Sequence, residues 1–162
     1  MPLIKDRTFV EDGFVTVKDD EPLPLNGTIV SLARFQAGRE TLLARNSKLG
    51  VRLKSSESPE VLGEDVHRLS VIVLEFPFFK DGRPFSWARI LRTRMKYEGE
   101  IRAVGHFLYD QVAFARRVGF DAFEVSNGFT LLQFERAVSE MSYVYQPSTD
   151  GRRTIRDLRA YA

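Results

Sequence analysis

The sequence predicts an α/β protein: a single domain of βα units with a mainly parallel sheet, preceded by a short N-terminal hairpin or arm. Three observations carry that expectation. Short apolar runs of strand length alternate with amphipathic stretches of a dozen or so residues, joined by short Gly-bearing links. Right-handed βαβ crossovers lay parallel strands side by side in that order. The apolar runs are nearly continuous, as in SVIVLEFPFF, and a parallel sheet is covered on both faces. The chain has 162 residues, 43% of them hydrophobic, which suffices for one buried core.

Residues 1–26 alternate short apolar stretches with Asp, Glu, Pro and Gly, as in FVEDGFVTV then KDDEPLPLNG, and read as the hairpin or arm. Past Asn26-Gly27, TIVSL reads as a strand, ARFQAGRETLLARN as a helix ending at Asn46, and LGVRL as the next strand. KSSESPEVLGEDVHRL is polar and turn-rich, and its Ser58-Pro59 can start a short helix. SVIVLEFPFF is a strand, PFSWARILRTRM a helix, EIRAVG a strand, and HFLYDQVAFARRVG a helix with Gly119 at its C-cap. FDAFEVS, GFTLLQFERAVSEM and SYVYQ follow as strand, helix and strand. The α/β domain so defined spans 27–147. Residues 148–162 form a basic tail with Arg152, Arg153, Arg156 and Arg159, read as a docked or frayed terminal helix rather than a nucleic-acid arm. Five or so such units fit either an open flavodoxin-like sheet or a partial TIM-barrel-like one.

Composition removes several function classes. Twenty-four basic against twenty-two acidic residues give a formal charge of +2, a near-balance that argues against nucleic acid as a partner. Without cysteine there is no disulfide, thiol nucleophile or Cys-held zinc or iron–sulfur group. The two histidines, His67 and His106, show no HExxH-type spacing, so no metal site is expected. The start, MPLIKDRTFVEDG, lacks the order of a signal peptide, and no apolar run approaches the roughly 18–20 residues of a membrane span. A cytoplasmic protein without a membrane partner is expected. GxGxxG after a first strand, GxxxxGK[ST] and GxSxG are missing, so no self-contained nucleotide chemistry is supported, the cofactor is left unknown, and electron transfer by this chain would need a borrowed or bound one.

In parallel α/β folds the loops after the carboxyl ends of the strands form the binding edge. Here these are PFFKDGRPFS, Gly105-His106 and Ser126-Asn127-Gly128. Each is expected to open a helix whose unpaired N–H groups favour an anion. Asp81-Gly82 signals a turn, Arg83 follows, and Ser86, Arg89 and Arg92 recur every third position along one side of the next helix. Guanidinium forks so arranged suit a phosphate, sulfate or carboxylate. On composition alone the same arginines are a solvated face pairing with Asp81, Glu98 or Glu100. Phe76, Phe78, Phe79 and Phe85 are then core, or cover over the sheet edge. Arg102 lies in a strand, where an inward charge needs a partner; Glu100, two residues earlier, shares its face. Asp110 is the best-placed carboxylate for acid–base work, or for a bridge to Arg83 or Arg102, with Gln111 beside it. His106, at an expected helix N-terminus, reads as a neutral imidazole or a surface cap.

The run FPFFKDGRPFSWARILR…YEGEIRAVGHFLYDQ…RRVGFDAFEV resembles the bacterial domain-of-unknown-function family 934. That family's pattern is FPxFxDGRxFSxAxxLR, YxGExRAxG, DQ and RxGFDxF. The elements occur here in order, with LGVRL upstream and a terminal YQ. The resemblance implies an accessory or partner protein of assimilatory sulfite reduction that acts with sulfite reductase. It places Asp81, Arg83, Ser86, Arg89, Arg92, Arg102, Gly105, Asp110 and Gln111 at motif positions, while Trp87 and His106 depart from the commoner polar choices. In that setting Arg83, Arg89 and Arg92 form a surface for an acidic partner. The alternative is a small oxyanion- or phosphate-binding enzyme with its site at the carboxyl ends of the strands. There Arg83 and the helix starts after Gly105 and Gly128 hold the anion, and Asp110 is the acid or base. A homodimer formed through open sheet edges and exposed aromatics is the third arrangement.

Overall fold

The computed structural model describes residues 1–160, so the last two residues of the basic tail lie outside the description. Strands β1 (Leu3–Lys5), β2 (Thr8–Val10) and β3 (Phe14–Thr16) come first. Then follow β4 (Gly27–Ser31), β5 (Leu49–Leu53), β6 (Val71–Phe76), β7 (Glu100–Gly105) and β8 (Ala122–Glu124). All eight form one sheet in the order β2-β1-β8-β7-β6-β5-β4-β3. From β3 to β8 each strand pairs in parallel with its successor in sequence. β1 pairs antiparallel with β8 and with β2.

A doubly wound, flavodoxin-like sheet reverses its strand order at a switch point; this one runs in sequence order and curls instead. Laid flat, eight strands would span roughly 34 Å at about 4.8 Å per neighbour. The outermost strands, β2 and β3, are joined by only Glu11, Asp12 and Gly13, and the four Cα steps from Val10 to Phe14 reach at most about 14 Å. The two edges must therefore approach each other, and the sheet wraps around a concave interior.

Alternation along the strands sends side chains to two different cores. On the outer face Val30, Val51, Ile72 and Ile101 lie in register, as do Leu53, Leu74, Ala103 and Phe123. All are buried in one large cluster with residues of α3 (Arg83–Thr93), α4 (Gln111–Val118) and α5 (Leu131–Ser139). The aromatic centre of that cluster is Phe76, whose ring lies 5.0 Å from Phe85, 5.9 Å from Phe107 and 5.8 Å from Phe120. The concave face holds a smaller cluster of Ile29, Val71, Val73 and Val104 with Phe14 packed on it.

Four elements differ from the sequence reading. The expected helix ending at Asn46 is two short ones, α1 (Leu32–Ala37) and α2 (Arg39–Leu43), split at Gly38, where glycine costs a helix about 1 kcal/mol. Residues 59–68 form 3₁₀ turns broken at Gly63. SYVYQ forms no strand: it makes one bridge, Val144 with Thr154, and bends at Tyr145 and Gln146. Its two tyrosines are exposed and only Val144 is buried, so it lies against the tail, whose α6 spans Ile155–Ala160. Finally, α4 begins at Gln111 rather than His106, because the chain first makes a loop over 106–110.

Candidate functional site

The loops after β5, β6 and β7 meet at the carboxyl end of the sheet, and side chains lock them to one another. Gly105 has φ +94°, and a Cβ there would lie 2.4 Å from the Phe76 carbonyl oxygen. Only glycine lets β7 turn this closely past β6. His106 N–H then donates to the Phe76 carbonyl at 2.8 Å. Gln111 fastens the next turn at both ends: its Oε1 accepts from Leu108 N–H at 2.9 Å, and its Nε2 donates to the Phe79 carbonyl at 2.9 Å. On the far side of the β6 loop, Asp81 accepts from the Arg83 backbone N–H at 3.1 Å, from Nε at 2.9 Å and from Nη2 at 2.6 Å. The same Nη2 reaches Ser55 Oγ at 3.0 Å, and Trp87 Nε1 donates to the Ser55 carbonyl at 2.8 Å. The Arg83 guanidinium holds the Asp81 carboxyl well below the usual carboxylate range.

Fixed at both ends, residues 77–80 present their aromatics outward. Phe78 is 71% exposed and Phe79 45%. With Pro77, Lys80, Asp81 and His106 they line an open, mostly apolar hollow of about 710 Å³. Lys80 Nζ lies 5.7 Å from the centre of the Phe79 ring. The result is an apolar ledge with a basic rim, prepared before anything binds.

The structure distributes the other predicted residues elsewhere. Ser86 and Arg89 are exposed on α3. Arg92, nine residues and about 14 Å of helix beyond Arg83, lies at the opposite, amino-terminal end of the sheet and does not join it. Its Nε and Nη2 donate to the Gly119 carbonyl at 3.1 and 3.0 Å, and its Nη1 donates to the carbonyls of Tyr97 at 2.6 Å and Gly99 at 2.9 Å. It also pairs with Asp121. This is a clamp across two loops. Gly119, at φ +116°, leaves room for it, since a Cβ there would fall 2.5 Å from Arg92 Cγ.

Asp110 is exposed at the start of α4 and makes no side-chain cap bond; the expected bridges to Arg83 and Arg102 are not formed. The anion-ready helix starts are corrected as well. Gly105 and His106 lie five or more residues ahead of α4, Gly128 precedes α5 by three, and α5 is closed by a Thr130–Gln133 capping box. At the start of α3, Arg83 N–H is already bonded to Asp81 and Pro84 has no N–H to offer.

Arg102 projects into the concave interior, where it is 2% exposed. It pairs with Asp12 at 2.6 Å and Glu100 at 2.9 Å, and Glu100 in turn takes Lys5 at 2.7 Å. Burial works against the Arg102 charge, but the Asp12 and Glu100 carboxylates outweigh it and its pKa rises. On the same rung as Arg102, Arg52 of β5 meets Glu75 of β6, two residues nearer the carboxyl rim, at 3.1 Å. Sequence reasoning missed Asp12, Lys5 and Ser55, and also the Arg52–Glu75 pair. The signal for that pair was present: each is a lone charge in an apolar strand, the property that singled out Arg102. Among the described residues no group of three His, Asp or Glu side chains is placed to hold a metal ion, and no helix is long and apolar enough to cross a membrane.

Fold and site together define a curled, mostly parallel α/β protein with a latched aromatic ledge at its carboxyl edge. Residues 50–156 match the model of a family described as a bacterial protein of unknown function (DUF934), and the chain belongs to that family. The match runs from within β5 into α6 and includes the ledge and every residue that latches it. No curated protein and no solved structure matches the chain significantly.

Proposed function

We propose that the protein is an accessory partner of sulfite reductase in assimilatory sulfite reduction, docking through the Phe78–Phe79 ledge. The pathway comes from the resemblance of its motifs. The observation that carries the docking reading is the 71% exposure of Phe78 on a loop held at both ends. An aromatic anchor displayed on a rigid support loses little freedom on binding. Of the FPxFxDGR positions, Pro77 and Phe79 line this ledge and Asp81 and Arg83 latch it, while Phe78 and Lys80 stand at the pattern's variable positions. Lys80 at the ledge, and Arg89 exposed further along α3, suit an acidic rim on the partner. Succession of parallel strands in sequence order also supports kinship with partial TIM-like barrels, whose ligands bind at this edge. A cytoplasmic location accords with that pathway.

The test is co-purification of sulfite reductase with tagged protein from sulfate-grown cells, beside a Phe78→Ala, Phe79→Ala variant. Recovery with wild type and loss with the variant are expected; failure of wild type to recover sulfite reductase removes the proposal. Light scattering of the isolated chain separates partner docking from pairing of two copies through the same ledge.

A second reading, a small oxyanion-binding enzyme at the same edge, is favoured by the Arg52–Glu75 pair. Their side chains remain 39% and 30% exposed at the strand ends, so an anion could draw Arg52 away from Glu75, with the unbonded Asp110 as acid or base. Calorimetry with sulfite and sulfate decides it: equal binding by wild type and Arg52→Ala rules it out.

A further inference from the structure

At the opposite end of the molecule from the ledge, the last turn of α4, the end of α5, the β1–β2 turn and the tail enclose a cavity of about 430 Å³. Its charged lining is Arg7, Arg116, Arg117 and Arg152, against the single carboxylate of Asp150. The four arginines are not equivalent. Arg117 is bonded to Asp150 at 3.1 Å and to the Gln146 carbonyl at 2.6 Å. Arg7 reaches Glu135 at 3.3 Å in an exposed pair. Arg152 is held by the carbonyls of Met141 and Ser142 at 3.0 and 2.8 Å; these fix its position without neutralising its charge. Arg116 is the exception, because its Nη1 is buried and has no hydrogen-bond partner among the described residues. A buried donor left without an acceptor is costly, and structures normally supply one.

Backbone geometry adds a second cost at the same place. Asp6 and Arg7, the two residues between β1 and β2, have φ +49° and +63°. Asn-Gly or Asp-Gly is the usual occupant of such a turn, and an arginine held there is strained. The strain brings the Arg7 guanidinium to the cavity.

We infer that this cavity is a binding site for a phosphate- or sulfate-type oxyanion, with the Arg116 guanidinium, which pairs with no carboxylate among the described residues, as its principal charge and Arg152 and Arg7 as flanking charges. An oxyanion supplies the negative charge that the lining lacks, and guanidinium forks match its geometry. The volume lies within the roughly 300–1,000 Å³ range of small-molecule sites. Val138 and Met141 give the cavity an apolar wall, so an organic phosphate ester fits as well as a bare ion. Every residue used is remote from the ledge, and the site stands or falls independently of the docking proposal.

Isothermal titration of the full-length protein with inorganic phosphate and with phenyl phosphate, at ionic strength fixed with sodium chloride, tests the site. Saturable binding of at least one is expected. Tighter binding of phenyl phosphate identifies an ester as the occupant, and equal or tighter binding of inorganic phosphate identifies the free ion. Arg116→Met should weaken binding by at least about tenfold, with Arg116→Lys intermediate because the charge stays and the fork is lost. Without phosphate, Arg116→Met should melt no lower than wild type, since no bonded partner is removed and the apolar stem is kept. Absence of binding by wild type overturns the inference, and so does Arg116→Met binding within about twofold of it. A melting temperature lowered by Arg116→Met without phosphate makes Arg116 a structural residue and also overturns it.

Discussion

Arg102 of β7 and Asp12 of the β2–β3 link lie ninety residues apart in sequence and meet at 2.6 Å inside the curled sheet. The contact is possible only because the sheet's two edges approach each other. Phe14, just past Asp12, sets its ring 5.7 Å from the same guanidinium. The interior charges therefore act as an internal brace as well as a polar lining. Arg102→Ala is expected to destabilise the protein by about 3 kcal/mol or more, because it breaks a buried network. Asp12→Ala should cost less, about 1–3 kcal/mol, since Arg102 keeps Glu100. Urea denaturation of the two variants gives both numbers, and losses below about 0.5 kcal/mol for both would remove the brace.

Gly119→Ala combines a left-handed backbone with a clash on Arg92. The backbone alone costs about 1–3 kcal/mol, and displacing Arg92 frees the carbonyls of Tyr97 and Gly99. A fall in melting temperature of at least about 4 °C is expected for a domain of this size. Calorimetry that finds Gly119→Ala as stable as wild type would contradict the clamp.

Asp81 and Asp121 should respond to pH with opposite signs. Hydrogen bonds from Arg83 lower the Asp81 pKa below its unfolded value. Its contribution to stability is present above the ordinary carboxylate range, near pH 4, and is lost as pH falls toward the folded value. Burial raises the Asp121 pKa, and the Ile101 N–H and Arg92 only partly oppose that shift. Its contribution is fullest below the ordinary value and declines as pH rises through the folded one. Carboxyl carbon NMR should find Asp81 still ionised below pH 3, and Arg83→Ala should move it back up toward about 4. An Asp81 resonance that titrates near 4 in wild type would refute the latch.

Phe76 and Phe78 are two residues apart and should behave as opposites. Phe76 is fully buried in the aromatic cluster, and its replacement by alanine is expected to cost about 3–5 kcal/mol. Phe78→Ala should leave stability within about 0.5 kcal/mol while removing co-purification of the partner. Denaturation curves alone separate them, and a Phe78→Ala loss comparable with that of Phe76→Ala would make the ledge a structural cover.

Periodicity made the outer core legible, because the apolar strands and the inward faces of α3 to α5 each follow one repeat. The curl was not legible in the same way. It depends on a pairing between β1 and β8 that no local pattern encodes, and on three link residues whose importance appears only when the edges are counted. Local chemistry was readable where partners are close in sequence: Asp81 with Arg83, and Glu100 with Arg102. It failed where a partner is distant. By spacing Arg92 continues the row of Ser86 and Arg89, yet its carbonyl partners lie at the other end of the sheet from the Arg83 turn. His106 and Gly105 were misplaced for a simpler reason: apolar periodicity runs through the loop 106–110, while the backbone turns at Gly105 and the helix waits until Gln111.

The pairing of Leu3 with Glu124 also has a consequence for biosynthesis. Residues 1–16 leave the ribosome well ahead of β8, and β1 cannot find its partner until more than a hundred further residues have been made. At about 5–20 residues per second that is a delay on the order of ten seconds. Throughout it β1 and β2 can pair only with each other, and the edge of β1 that later takes β8 has no strand to pair with. The long loop that must then close slows the final step. Shielding of the free edge of β1 during synthesis is therefore more valuable to this topology than to a sheet whose first strand pairs with its second and third.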